Sequence, residues 1–340
     1  MSRILFYVSA VDYPVGGLNV IFDCVQILKA AGIEAHAFSA TDSFEYPFIS
    51  PAPEIFHVHG LQEDASRRGR IRNLLTSYRA RHRNPELEIG PGDVVVVPEF
   101  LGAWLPKQLP GATLVLLVQG YRVLVDAVKD PSWNPGAFVG TVTISDVCRA
   151  TAEMVGLSDI RNIPLSIDAD LFRHDSPKRP IIAYMPRRRG EEVHFVTTAL
   201  RKRGRVEDFE LVAIDNLSHS EVAGTLREAS IFLSFSQMEG FGLPPAEAMA
   251  AGCLVVGYTG VGGAEFLDAV VGFPVLDGDL PRFVKTVEQV ADLCRTSPEV
   301  VASMRQRASD RIRERYGRTA FVENVKGIFG DFLAKTLNAA

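Results

Sequence analysis

The stretch EGFGLPPAEAMAAG, residues 239–252, stands between two apolar runs, IFLSFS (231–236) and CLVVGY (253–258). Apolar runs of this length, rich in β-branched and aromatic residues, are typical of buried strands. Inside the stretch, two glycines permit a tight turn, two prolines suit the first turn of a helix, and Gly252 ends that helix. The stretch therefore predicts a strand, a glycine turn, a short helix and another strand.

The start of this short helix predicts a site for an anion. Free N–H groups and the helix dipole favour negative charge there. Glu239 before the helix and Glu247 within it carry acceptor-only side chains, which suit hydroxyl groups such as those of a ribose or a sugar. A glycine turn is also common in any doubly wound sheet, and a glutamate near a helix start also complements the dipole. These residues alone leave both interpretations open.

Outward from this stretch, short apolar runs alternate with amphipathic ones along the chain. Alternating strands and helices predict an open α/β sheet, and the pattern restarts near residue 180 after the turn-rich DLFRHDSPKRP. We therefore predict two Rossmann-like, doubly wound domains. Besides 231–236 and 253–258, the strands we expect are 4–10, 34–39, 54–60, 93–100, 112–120, 139–145, 179–186 and 209–215.

Composition limits the classes of protein that fit. A chain of 340 residues suits two domains, and a net charge of −5 does not favour a nucleic-acid partner. The four cysteines are far apart in sequence, which is typical of core residues in a reducing compartment rather than of a zinc site. No signal peptide and no apolar stretch of about 20 residues is evident, so we expect a cytoplasmic protein.

The two glutamates have seven residues between them and resemble the E-x7-E motif of retaining glycosyltransferases with the GT-B fold. The likeness is greatest to the large bacterial group that builds polysaccharides and glycolipids. Other segments resemble that family in the same order along the chain. They are YPVGGLN (13–19), TVTISDVCRATAEMVG (141–156), NIPLSIDADLF (162–172), IIAYMPRRRG (181–190) and VGGAEFL (261–267).

The resemblance implies a GT-B architecture in which two domains face a cleft. Residues 1–168 would form the acceptor-side domain and residues 169–317 the donor-binding domain, with a helix of about 318–340 packing back on the first. The family generally needs no metal and no cofactor. A nucleotide diphosphate sugar is the co-substrate, and the acceptor is a saccharide or a lipid-linked saccharide.

The resemblance also assigns roles around the glycine turn. Glu247 would bind the ribose hydroxyls, and Glu239 would lie near the donor sugar as part of the catalytic set. The backbone of the turn would face the donor. Its residues are Gly240, Phe241, Gly242 and Leu243.

Three adjacent arginines follow the strand predicted at 179–186. Breaking a sugar–phosphate bond puts negative charge on the departing diphosphate, and arginine suits bidentate phosphate contact. We assign Arg187 and Arg188 to catalysis and Arg189 to donor binding, whereas a solvated basic face is the alternative. In the resembling family, a lysine usually follows five residues after the arginine that binds phosphate. Counted from Arg187, that position is occupied here by Glu192, whose carboxylate cannot bind phosphate in the same way.

On the acceptor side, Gly16 and Gly17 resemble the family's glycine loop, which would let a diphosphate or acceptor approach the backbone closely. An ordinary turn between strand and helix is the alternative interpretation. Many relatives have a histidine near the position of Gln119. Gln119 can hydrogen-bond a sugar hydroxyl but cannot act as a base, which fits a mechanism where the leaving phosphate takes the acceptor proton.

Two further features are candidates for acceptor or membrane contact. His57 and His59 share one side of a predicted strand, a spacing that can bind a metal. No third ligand is evident, so a structural or surface role is favoured, and His59 is also an acceptor-side candidate. Residues 67–83 are basic and contain no acid. A solvated helix face and peripheral contact with an anionic membrane both fit them.

The sequence thus predicts retaining, metal-independent transfer of a sugar from a nucleotide diphosphate sugar to a saccharide or lipid-linked acceptor. A nucleotide-sugar epimerase of the same fold is one alternative. A non-catalytic nucleotide- or sugar-binding partner of an active transferase is another, and the oligomeric state is left open.

Overall fold

The computed structural model describes residues 2–61 and 84–339, with side chains up to residue 337. Contacts between residues divide the chain into two compact units. The amino-terminal unit comprises Met1–Thr143, Arg149–Ile163 and Val322–Ala340, and the carboxy-terminal unit comprises Ile144–Cys148 and Pro164–Phe321. The domain limits predicted from the sequence, 1–168 and 169–317, stay a prediction.

A parallel sheet forms the centre of the amino-terminal unit. Its strands are β1 (Ile4–Tyr7), β2 (Ala35–Ser39), β3 (Ile55–His57), β4 (Val94–Pro98), β5 (Thr113–Val118), β6 (Gly140–Thr143) and β7 (Ile160–Asn162). The α-helices in the same part of the chain are α1 (Gly16–Ala30), α2 (Leu105–Gln108), α3 (Tyr121–Ala127) and α4 (Asp146–Met154).

The strand order in this sheet is β3-β2-β1-β4-β5-β6-β7. Strands β1 and β4 are buried along their whole length, as expected for apolar runs covered on both faces. The order reverses between β1 and β4. In open α/β sheets, ligands bind outside the carboxyl ends of the strands at such a switch point.

The carboxy-terminal unit has a second parallel sheet. Its strands are β8 (Arg179–Tyr184), β9 (Glu210–Ala213), β10 (Ala229–Glu239), β11 (Leu254–Val261) and β12 (Phe273–Pro274). Its helices are α5 (Gly190–Arg203), α6 (His219–Glu228), α7 (Leu243–Ala250), α8 (Leu280–Thr296) and α9 (Pro298–Arg315). The strand order is β12-β11-β10-β8-β9, so the switch point lies between β8 and β10.

The last helix, α10 (Arg318–Ala339), contributes its residues from Val322 onward to the amino-terminal unit. The Phe329 ring meets the Phe6 ring edge-on at 5.1 Å between centroids. Phe332 lies so close to β6 that a Cβ on Gly140 would be 2.4 Å from its ring. This helix therefore completes the core on one face of the first sheet.

Lys178, just before β8, joins two helices of the carboxy-terminal unit. Its ammonium donates hydrogen bonds to the carbonyls of Leu226 at 3.0 Å, Arg227 at 2.9 Å and Ala251 at 2.5 Å. These carbonyls belong to the ends of α6 and α7, where a cation complements the helix dipole. Burial lowers the pKa of this lysine, and the three acceptors replace the water that it has lost.

The α/β class with two parallel Rossmann-like sheets, predicted from the sequence, is confirmed. The opening stretch also folds as predicted, with β10 ending at Glu239, α7 starting at Leu243 and β11 starting at Leu254. In the part of the chain that the structure describes, no helix is both long and apolar enough to cross a membrane.

Candidate functional site

The glycine turn after β10 lies at the switch point of the second sheet. Gly242 precedes the first residue of α7 with φ of 98°, a conformation that favours glycine. A Cβ on Gly262 would lie 2.4 Å from the Gly240 carbonyl oxygen and 2.6 Å from the Phe241 nitrogen. The turn is therefore held in place by direct backbone packing against the segment that follows β11.

Phe241 contributes to this turn through its backbone. Its side chain is 2% exposed and packs against Phe266 and Tyr316, with ring centroids 5.1 and 4.9 Å away. This packing anchors the start of α7 in the core. It places the ring of Phe241 among other aromatic rings, and the donor-facing role of its backbone stays a prediction.

Glu239 and Arg188 meet across the two strands that flank the switch point. Arg188 Nη1 lies 3.3 Å from Glu239 Oε1, and the two side chains are 52% and 15% exposed. Burial raises the pKa of Glu239, while Arg188, a hydrogen bond from Ser236 and the charge of Arg187 oppose that rise. Glu239 Oε2 is buried and has no hydrogen-bond partner among the described residues, so an unpaired polar atom lies beside the glycine turn.

Arg187 is exposed and stands beside Arg188 in the segment between β8 and α5. Among the described residues its guanidinium forms no ion pair, although its charge acts on Glu239. An exposed guanidinium next to a partly paired one can bind a phosphate group without first breaking a contact. The structure brings both catalytic arginine candidates to the same edge of the sheet as Glu239.

Arg189, unlike Arg187 and Arg188, is largely buried, and it is paired with two carboxylates. Its side chain is 10% exposed and forms ion pairs with Glu192 at 2.8 Å and Asp277 at 2.6 Å. Its guanidinium also lies 4.8 Å from the centre of the Tyr258 ring, and the Tyr258 hydroxyl donates to Glu192 at 2.7 Å. Arg189 thus neutralises the carboxylate that stands at the lysine position of the resembling family. Its role as a donor ligand stays a prediction.

Glu247 lies within α7 and is 13% exposed. Its Oε1 is 3.3 Å from Nε2 of His219, the first residue of α6. Glu247 therefore faces the same edge of the sheet as the glycine turn. The donor-side candidates named from the sequence, apart from Gly16 and Gly17, lie in the segments that follow β8 and β10.

Several residues near this edge adopt backbone conformations with positive φ that are unusual for residues with side chains. Arg189 has φ of 51°, Met238 of 46° and Val261 of 73°. Such conformations cost of order 1–3 kcal/mol each and cluster at functional sites. Arg189 directly precedes α5, and Met238 and Val261 lie at the ends of β10 and β11.

The amino-terminal unit has its own group of polar residues at its switch point. Gly16 and Gly17 begin α1, and Gln119 Nε2 donates to the Gly17 carbonyl at 3.1 Å. A Cβ on Gly17 would lie 2.8 Å from Gln119 Oε1. The second glycine therefore permits the close approach of the glutamine side chain to the backbone.

Glu99, which follows β4, lies in the same group. Its Oε1 accepts hydrogen bonds from the backbone N–H groups of Gly120 at 2.8 Å and Gln119 at 3.3 Å. The residue is 4% exposed. Burial raises the pKa of Glu99 to about 7, although the backbone N–H groups of Glu99, Gln119 and Gly120 oppose that rise. Near neutral pH this carboxyl group is therefore divided between its charged and neutral forms.

The remaining candidates are less closely connected to these groups. The rings of His57 and His59 lie edge to face at 6.4 Å between centroids, and His59 is exposed. Among the described residues there is no group of three or more His, Cys, Asp or Glu that could hold a metal ion. The basic segment proposed for membrane contact, 67–83, lies outside the described residues.

Sequence reasoning missed Glu99, His219 and Tyr258. A carboxylate directly after a valine-rich strand points to the carboxyl edge of a sheet, and that signal was available for Glu99. His219 and Tyr258 carried no such signal. Their partners, Glu247 and Glu192, are 28 and 66 residues away in sequence.

Two parallel-sheet, Rossmann-like units with this strand arrangement define the GT-B fold, and solved structures of that fold superpose on the chain. Sucrose-phosphate synthase from Thermosynechococcus elongatus matches with a TM-score of 0.67 and 16% identity, covering 98% of this chain and 100% of that one. HepE of Anabaena, in complex with UDP, matches with a TM-score of 0.59 and 13% identity, covering 99% and 100%.

Sequence comparison points to the same group of proteins. Residues 209–296 match the family described as "Glycosyl transferases group 1". An alpha-1,6-glucosyltransferase of Actinobacillus pleuropneumoniae serotype 7 (strain AP76) is 30% identical over 171 residues, which cover 48% of this chain. The aligned part spans 50% of that relative's length.

Proposed function

We propose that this chain is a glycosyltransferase that moves a sugar from a nucleotide diphosphate sugar to a saccharide or lipid-linked saccharide, with retention of configuration and without a metal. The observation that carries the proposal is the meeting of Arg188 with Glu239 beside the glycine turn of α7. A cation, an unpartnered carboxylate oxygen and a helix start lie together at a switch point, which suits a phosphorylated sugar.

The chemistry follows from where charge develops. The bond between the anomeric carbon and the diphosphate breaks, and Arg187 and Arg188 stabilise the charge that the diphosphate gains. The acceptor oxygen forms the new bond to the anomeric carbon, and its proton passes to the leaving phosphate. Glu247 binds the ribose hydroxyls, and the Glu239 carboxylate accepts a hydrogen bond from a hydroxyl of the donor sugar.

Two features of this chain support the proposal despite its departures from the resembling family. Glu192 would repel a diphosphate, but Arg189 and Tyr258 hold its carboxylate. Gln119 cannot accept a proton as a base, and a mechanism in which the leaving phosphate takes the proton requires none. Both departures are thereby compatible with catalysis.

The relatives provide separate support. A region containing Glu239 and Glu247 matches the glycosyl transferase family, and one solved structure of the same fold is a complex with UDP. The donor class of this chain is therefore a nucleotide diphosphate sugar, with the acceptor assigned to the amino-terminal unit around Gly17 and Gln119. Peripheral membrane contact through 67–83 belongs to the same proposal.

The first experiment is a thermal-shift panel of UDP, GDP, dTDP, ADP and CMP, each with magnesium and with EDTA. A ligand that binds the folded state raises its melting temperature. We expect one nucleoside diphosphate to respond equally in both conditions. No response at millimolar concentration contradicts a nucleotide-sugar site, and a response that EDTA abolishes contradicts metal independence.

The second experiment follows the reaction with the sugar nucleotides of the responding base. Proton NMR of the product gives the anomeric configuration, and we expect the configuration of the donor. Conversion of the donor without an acceptor would identify an epimerase. Binding without any turnover, over a panel of saccharide acceptors, would identify a binding subunit instead.

A further inference from the structure

His219 is the first residue of α6 and contacts Glu247 across a separation of 28 residues in sequence. Its Nε2 lies 3.3 Å from Glu247 Oε1, and its ring meets the buried Phe172 ring edge-on at 5.0 Å between centroids. The imidazole is therefore held by an apolar contact on one side and by a carboxylate on the other. No role was assigned to it from the sequence.

The chain fixes this histidine through the start of its helix. Ser218 and Glu221 form a reciprocal capping box, in which each side chain bonds the backbone N–H of the other. Such a box satisfies two helix-end donors and sets the direction in which the helix begins. Because β9 leads into α6 through only the residues 214–218, the position of His219 is tied to the edge of the sheet.

Only one oxygen of the Glu247 carboxylate has a hydrogen-bond partner among the described residues. Glu247 Oε1 faces His219, and among the described residues Oε2 has no hydrogen-bond partner. Glu247 is 13% exposed whereas the histidine side chain is 63% exposed. A ligand that approaches this edge can therefore reach Oε2 while Oε1 keeps its contact with the imidazole.

We propose that His219 is a positioning residue for nucleotide recognition, which orients the Glu247 carboxylate toward the ribose hydroxyls and makes nucleotide affinity depend on pH. This inference rests on the proposed function, because the ribose role of Glu247 belongs to that proposal. The imidazole holds one carboxylate oxygen and leaves the other to accept from the ribose. The carboxylate is then arranged before the ligand arrives.

The pH dependence follows from the charges that face the ring. Glu247 on α7 is the nearest carboxylate, and Asp168 in the segment before β8 also acts on the imidazole. The hydrogen bond to Glu247 raises the pKa of His219, burial lowers it, and the charges of Glu247 and Asp168 raise it. The charged pair is complete below the ordinary histidine range and is lost as pH rises through the raised pKa.

The test is calorimetry with UDP as the probe at pH 6.0 and pH 8.5, or with whichever nucleotide of the panel above binds. For the wild-type protein we expect affinity to fall more with rising pH than for His219→Gln, which donates but does not titrate. The difference should be roughly two- to fivefold, since exposed ion pairs contribute little. Titration of the nucleotide itself cancels, because the same ligand is used throughout.

Two further variants, His194→Ala and Glu247→Ala, distinguish the positioning of the Glu247 carboxylate from a general effect of losing a histidine. His194→Ala removes an exposed histidine from α5 and should follow the wild-type pH profile. Glu247→Ala supplies the background for a double-mutant cycle. We expect His219→Ala to weaken UDP binding roughly two- to fivefold in the wild-type background and to have no effect in Glu247→Ala.

Each outcome decides the inference. An equal effect of His219→Ala in both backgrounds would show that the histidine does not act through Glu247. Tighter binding by His219→Ala would show that the imidazole competes with the ribose for the carboxylate. If no nucleotide of the panel binds the wild-type protein, the proposed function fails and this inference with it. Nucleotide binding that Glu247→Ala weakens but that His219→Ala and His219→Gln leave unchanged overturns the inference alone.

Discussion

The two sheets use the same switch-point geometry but treat charge in different ways. At the switch point of the carboxy-terminal unit, Glu239 faces Arg188, and neighbouring carboxylates are paired with Arg189. At that of the amino-terminal unit, Glu99 is buried, and among the described residues it accepts hydrogen bonds only from backbone N–H groups. The first arrangement, the ionic edge, exposes a guanidinium that suits an ionic ligand such as a diphosphate. The second, the neutral edge, keeps its carboxyl group buried.

Removing a cation from the ionic edge should have the largest effect. Arg188→Ala, and Arg187→Ala separately, should lower kcat by about 100-fold or more, because one preorganised charge contact to the leaving group is lost. Steady-state kinetics with the identified donor measures this loss. The melting temperature should change little, since both side chains are exposed.

The matched control is Arg201→Ala, which removes an exposed arginine from the last turn of α5. It changes the net charge by the same amount without touching the switch point. If Arg201→Ala lowers kcat as much as Arg188→Ala does, the effect is one of net charge, and the comparison between the two edges fails.

Glu99→Gln tests the neutral edge through stability. Because the folded-state pKa is about 7 and the ordinary value 4.5, the folded protein binds more protons between these values, and its stability falls as pH rises through that range. The full difference corresponds to about 3 kcal/mol. Glu99→Gln lacks this titration, so its stability should rise relative to wild type by that amount between pH 4.5 and pH 8.

Urea denaturation of both proteins across this pH range measures the difference. Glu88→Gln, at an exposed carboxylate of the same unit, is the control and should follow the wild-type curve. Parallel curves for wild type and Glu99→Gln would show that Glu99 carries no raised pKa. The contrast between an ionic and a neutral edge would then be lost.

Glu247→Ala sharpens the comparison on the ligand side. Loss of a charged acceptor for the ribose should weaken nucleotide binding by about 10- to 100-fold, the range for a hydrogen bond to a charged group. Calorimetry with the responding nucleotide measures this. Glu299→Ala, at the exposed start of α9, serves as control, and unchanged affinity in Glu247→Ala would remove the ribose assignment.

The smallest expected effect is on stability, when the glycines of the two turns are replaced by alanine. Gly242→Ala places a Cβ on a residue with φ of 98° and should lower stability by about 1 kcal/mol or more. Gly17→Ala meets only the flexible end of Gln119 and lies in the first turn of a helix, so stability should hardly change. Thermal melts of both variants measure this; equal losses would mean that backbone conformation does not distinguish the turns.

The sequence predicted the two parallel sheets and the segment from β10 to β11, because apolar runs, glycines and prolines determine structure locally. It also predicted which strand ends lie close together, since the carboxyl ends of parallel strands lie at the same edge of a sheet. For Arg187, Arg188 and Glu239, knowledge of topology was therefore sufficient to predict that they lie close to one another.

The missed contacts depend on long-range packing. Arg189 pairs with Asp277, which is 88 residues later in sequence, and Lys178 bonds carbonyls 48, 49 and 73 residues away. Three adjacent arginines look alike in sequence. Only the fold shows that one of them is enclosed by carboxylates while its neighbours are exposed.

Strand β9 has a consequence for association between copies of the chain. Within the described residues it pairs only with β8, and its outer edge offers free backbone groups to another strand. Exposed carboxylates stand along this stretch at Glu207, Glu210 and Asp215. Their like charges would disfavour the pairing of this edge with the same edge of a second molecule.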